Sequence, residues 1–178
     1  MARALNNEKP STAIKDAGDA LKEKAVVIGL GNLYMRDDGL GIRVAQALEE
    51  RDLGENVSVQ EHPEMDLTVI EKLRGASKII IVDTVRGGKE PGTVSKYTLA
   101  PRKGDISELP SLHSLKLSDI LDLAMSSGIL TCPVVIVGVE PKDDSLGMGL
   151  SSEVESALPK AMEAVINELS RSVTPRES

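Results

Sequence analysis

Four short segments hold carboxylates or imidazoles where they could do chemistry. Asp37 and Asp38 lie in GLGNLYMRDDGLG, residues 29–41, just after the apolar run 25–28, and Asp83 ends the run Lys78–Val82. His113 sits in SLHSL, residues 111–115, and His62-Pro63-Glu64 follows the alternating segment Val57–Glu61. Two carboxylates and one imidazole from separate segments, converging on one edge, form an open metal site with room for water or a partner's ligand. The same groups are suited to general acid–base work.

Each of these residues also has a structural reading. Aspartate is a preferred helix N-cap, so one of Asp37 and Asp38 is expected to cap a helix starting near Gly39. The other carboxylate is then free to meet a bulky partner, with Gly39 and Gly41 behind it. Asp83 can bond the N–H groups of the next turn, and His113 taken alone reads as an exposed loop histidine. His62-Pro63-Glu64 reads most simply as a proline-stiffened loop with solvated charges before a helix begun near Asp66. His62 and Glu64 stay in view as a second imidazole and a further carboxylate on the same edge.

Other chemistries lack their residues. A dinucleotide fingerprint needs a third glycine where this chain has Tyr34, and Asp37 and Asp38 would repel a pyrophosphate. Neither H-E-x-x-H nor G-x-S-x-G occurs, and the single Cys132 precedes an apolar strand, so no zinc-protease helix and no serine or cysteine nucleophile is indicated. One cysteine also forbids an intrachain disulfide and points to a cytoplasmic setting. The net charge of -7 argues against a nucleic-acid partner, and no stretch has the length of a membrane span. Phe and Trp are absent and Tyr34 and Tyr97 are the only aromatics, so the core must be aliphatic.

Elements that could bring these residues together follow from the apolar pattern. Segments 25–30, 78–83 and 133–139 are near-continuous Val/Ile runs, expected to be central strands buried on both faces of a parallel sheet. Val57–Glu61 alternates and belongs nearer an edge, and Gly92–Leu99 reads as a half-exposed strand after a turn at Gly87-Gly88. Helical spacing runs through Leu40–Leu48, Leu67–Leu73, Leu117–Ala124 and Val154–Leu169, with Gly54, Gly75 and Gly128 stopping the first three. The fold class is therefore α/β, a three-layer helix–sheet–helix sandwich with a mostly parallel central sheet. One domain over residues 24–171 is expected, between a disordered polar tail 1–23 and a polar tail 172–178. Ligands in such sheets bind at the carboxyl ends of the strands, the edge to which these segments lead.

Five motifs in order resemble one family: Gly29-Leu30-Gly31-Asn32; Asp37-Asp38-Gly39-Leu40-Gly41; Ile81-Val82-Asp83; His113 with Leu117-Ser118-Asp119-Ile120-Leu121; and Gly138-Val139-Glu140-Pro141. They are similar to the maturation endopeptidases of nickel-iron hydrogenases, from about Ala25 to about Leu169. The resemblance implies removal of a C-terminal extension from the hydrogenase large-subunit precursor after nickel insertion. It implies Asp38, Asp83 and His113 as the catalytic and metal-contacting residues, with His62 as a further candidate ligand. Asp37 is then the helix cap. Gly31, Asn32, Gly39, Gly41 and Glu140, within the matching motifs, are implied to bind substrate. The nickel is expected to arrive in the precursor, and cadmium or zinc to be able to occupy the site in vitro. The protein is expected to be a monomer. Two departures stand out: aspartate at Asp38 where the family often has glutamate, and Glu61-His62-Pro63-Glu64-Met65-Asp66 where relatives have a glycine-rich turn with threonine. A nickel-dependent chaperone that holds the precursor without cutting it is the alternative.

Overall fold

Runs of β-branched residues form strands because their branched side chains pack well on a pleated surface and can be buried on both faces. A computed structural model of the chain describes residues 24–100, 111–112 and 115–171. The expected disordered tail 1–23, the polar tail 172–178 and His113 lie outside the described residues. The strands are β1 (Ala25–Leu30), β2 (Val57–His62), β3 (Lys78–Arg86), β4 (Val94–Leu99), β5 (Ser111–Leu112) and β6 (Val134–Val139). The helices are α1 (Leu40–Glu49), α2 (Leu67–Lys72), α3 (Leu115–Ser126) and α4 (Ser152–Leu169), and a 3-10 turn at Arg36–Gly39 precedes α1.

The main sheet has the order β2-β1-β3-β6-β4. β2, β1, β3 and β6 run parallel, and β4 closes one edge antiparallel to β6. The three near-continuous apolar runs occupy the interior lanes and the two alternating segments the edges, as their patterns require. Residues of β3 alternate between two cores. Ile79 and Ile81 pack with α2 and α3 side chains such as Ile70 and Leu121. Ile80 and Val82 pack with Leu40, Val44, Val154 and Val165 of α1 and α4. The molecule is thus the three-layer α/β sandwich with a mostly parallel sheet.

The 2-1-3 order sends the chain one way from β1 and the other way from β3. Their carboxyl ends therefore flank a topological switch point, where a crevice opens. The last residues of β3, Val85 and Arg86, pair antiparallel with Leu112 and Ser111 of β5.

Candidate active site

A cavity of about 180 Å3 lies at this switch point, lined by Leu30, Gly31, Asp38, Pro63, Glu64, Met65 and Asp83. Its walls come from the loops after β1 and β2 and from the end of β3. Three carboxylates line it and, among the described residues, no basic side chain does.

Asp38 is placed by the 3-10 turn, in which its N–H donates to the carbonyl of Met35 (3.1 Å). The turn folds back onto Gly31, which has φ +135°; a Cβ there would come within 1.7 Å of the Asp38 carbonyl oxygen. Only glycine permits that approach. Asn32 stabilises the same loop by accepting from Tyr34 N–H through Oδ1 (2.9 Å). Gly41 is differently occupied from the expectation that it leaves room for a partner. A Cβ on it would meet the carbonyl oxygens of Leu30 at 2.2 Å and Val82 at 2.4 Å, so its smallness lets α1 lie against β1 and β3. Gly39 is buried, and its Cβ would crowd Leu33 Cα at 3.2 Å.

Asp83 is 5% exposed, and its Oδ1 accepts from Thr84 N–H (2.8 Å). Among the described residues no group of three His, Cys, Asp or Glu is arranged to hold a metal. Two aspartates are therefore the described share of the expected constellation, and its imidazole, His113, is outside the described residues. Leu112 is fixed opposite Val85, two residues past Asp83. Glu64 joins the two aspartates as a third wall carboxylate, whereas His62 does not line the cavity. His62 Nε2 donates to Gln60 Oε1 (3.3 Å), and burial, followed by the Lys72 charge, lowers its pKa below the usual 6.5 against an opposing pull from Asp66.

Asp37 corrects the capping expectation. Neither the 3-10 turn nor α1 receives a side-chain cap. Asp37 is fully buried, and its carboxylate accepts from the N–H groups of Lys142 (2.9 Å), Asp143 (2.9 Å) and Ser151 (2.6 Å) and from Ser151 Oγ (2.9 Å). It clamps the loop after β6, and the start of α4, to the loop after β1. Arg36, at φ +45°, takes the strained conformation that lets the chain turn into this clamp. Glu140 is also committed to structure: its buried carboxylate accepts from Gly87 N–H (2.8 Å) and Gly88 N–H (3.2 Å), holding the turn between β3 and β4 away from the cavity.

Cys132 is buried in the α2/α3 core, and burial pushes its thiol up, as suits a packing residue rather than a nucleophile. A larger groove of about 530 Å3 lies between Pro91-Gly92 and the first turns of α4. None of the residues singled out for chemistry lines it, so the small acidic cavity is the better candidate despite its size.

Fold and cavity together define an α/β protein with an acidic cavity at its sheet switch point. The family profile described as hydrogenase maturation protease matches residues 42–168, and the chain belongs to that family of peptidases. The hydrogenase-maturating endopeptidase HybD of Escherichia coli superposes with a TM-score of 0.71 at 26% identity, covering 82% of this chain and 91% of that one. The hydrogenase 2 maturation peptidase of a Thaumarchaeota archaeon gives 0.66 at 33% identity, covering 83% and 98%. The coenzyme F420 hydrogenase subunit delta of Methanothermobacter thermautotrophicus is 31% identical over 158 residues, 81% of this chain and 93% of that protein.

Proposed function

We propose that the protein removes the C-terminal extension of a nickel-iron hydrogenase large-subunit precursor once nickel is in place. The supporting observation is that Asp38, from the turn after β1, and Asp83, within the neighbouring strand β3, line one small cavity together. In this reading the nickel is part of the substrate. Asp38 and Asp83 meet it with oxygen donors, and His113 supplies the third contact.

Hydrolysis then needs a water to lose a proton to a carboxylate as its oxygen attacks the peptide carbonyl carbon. The leaving nitrogen must gain a proton as the C–N bond breaks. Substrate nickel beside the carbonyl would polarise it or acidify the water. Asp38 and Asp83, at the cavity wall, are the groups in place to carry those protons. Glu64 adds negative charge to the same cavity.

Isosteric changes test the assignment. Asp38→Asn and Asp83→Asn, with His113→Ala, should each abolish processing of nickel-loaded precursor while the far-ultraviolet circular dichroism and melting transition persist. Normal processing by either aspartate variant would remove that residue from the site.

A further inference from the structure

Five large apolar side chains stand exposed among the described residues: Tyr34, Leu67, Leu123, Leu146 and Met148. Three of them flank one short bridge between the loops after β1 and β6. Met35 pairs in parallel with Gly147; Gly147 N–H donates to Tyr34 O (2.9 Å) and Arg36 N–H to Gly147 O (3.0 Å). Tyr34 precedes Met35, and Leu146 and Met148 flank Gly147, so all three adjoin the bridged pair. Tyr34 is 66% exposed, Leu146 80% and Met148 72%.

The rim is built to hold its shape. Asp37 clamps residues 142, 143 and 151 through its buried carboxylate, and its own N–H donates to Asp143 O (3.0 Å). The charges around the rim are paired with one another: Arg36 with Asp143 (3.2 Å), Lys142 with Glu153 (2.6 Å) and Arg86 with Asp144. Beside these half-exposed ion pairs the rim presents the three apolar side chains. Apolar side chains fixed in water next to a reactive cavity mark an interaction surface.

We propose that Tyr34, Leu146 and Met148 form a docking surface for an apolar surface segment of the folded hydrogenase precursor. The proposal rests on the protease reading and adds the contact that reading lacks. A cavity of about 180 Å3 admits the reacting group and its metal but not a folded protein, so affinity for a protein substrate must come from outside it. Tyr34 lies two residues before the 3-10 turn that carries Asp38, so rim and cavity share one loop. Its three side chains expose on the order of 400 Å2, about half of the ~800 Å2 per partner in a stable interface. That is too little to hold a second copy of this chain, and suits a contact that supplements anchoring at the cavity.

The test uses the full chain and nickel-loaded precursor. Binding is measured in an Asp83→Asn background, with and without Leu146→Glu plus Met148→Glu, and KM and kcat are measured in the active background. The rim change should weaken binding at least about tenfold and raise KM by a similar factor, with kcat falling far less. Leu146→Ser plus Met148→Ser, which adds no charge, should weaken binding in the same direction with the melting transition retained. Binding and KM within about twofold of the parent in both double variants would overturn the rim. So would a parent that sediments as a dimer and becomes monomeric in the double variants, which would assign the surface to self-association. Precursor that binds in a rim-dependent way but is never cut would contradict the protease reading and support the rim.

Discussion

Asp37 and Asp38 are neighbours of one chemical type whose surroundings give them different work. Asp38 lines the cavity, whereas Asp37 is enclosed by four donors, all of them more than a hundred residues away in sequence. Asp37→Asn keeps one acceptor oxygen and turns an NH2 group toward backbone N–H donors. It should therefore cost about 1–3 kcal/mol, read as a lower urea midpoint; an unchanged midpoint would show that the clamp contributes nothing. A local rule, aspartate before a helix, gives no hint of this role, because sequence pattern carries no sign of partners so distant. Glu140 was obscure for the same reason, since its turn lies 52 and 53 residues earlier. By contrast, Asp66 was legible: it caps α2 by accepting from Thr68 and Val69 N–H, a purely local arrangement. His62 yields a pH prediction. Its folded-state pKa is lowered by burial and by Lys72, so the neutral ring is favoured on folding. The contribution to stability is complete above the usual 6.5 and lost as pH falls through the lower folded value. An NMR titration should place its midpoint below 6.5; a midpoint above that would contradict the burial argument.

At the scale of elements, the five main strands and the four helices could be read from spacing, whereas β5, the extension of β3 to Arg86 and the exposure of Leu67 could not. Burial on both faces produces unbroken Val/Ile runs in β1, β3 and β6, and edge exposure produces alternation in β2 and β4. The ends of elements were less legible. Gly75 and Gly128 do turn the chain just after α2 and α3, but α1 stops at Glu49, and Gly54 serves the loop before β2, where its N–H donates to Asp52 Oδ1 (3.1 Å). Close packing of α1 on the sheet was hidden too, because a glycine required by a neighbouring backbone looks like a glycine required by a loop. Gly29 and Gly41 face each other across that contact, with a Cβ on Gly29 falling 2.0 Å from the Gly41 carbonyl oxygen. Gly41→Ala should therefore push α1, and the Asp38 turn before it, off the ends of β1 and β3. We expect a loss of about 3 kcal/mol or more in chemical denaturation, with processing reduced beyond the loss of folded protein. Full stability and activity in that variant would refute the close approach.

For the whole molecule, the proposed function turns on where the nickel would reside. The described cavity offers carboxylates without a thiolate. Oxygen donors of this kind hold nickel weakly compared with cysteine sulfurs, so the metal should belong to the precursor. Chelator treatment followed by removal of the chelator should leave the protein fully competent on nickel-loaded precursor. Activity that returned only after metal was added back to the stripped protein would make the metal resident. The most direct measurement is the intact mass of nickel-loaded and nickel-free large-subunit precursor after incubation with this protein. The account predicts that the nickel-loaded precursor alone loses a single C-terminal segment. A nickel-loaded precursor of unchanged mass, or equal shortening of the nickel-free one, would contradict it.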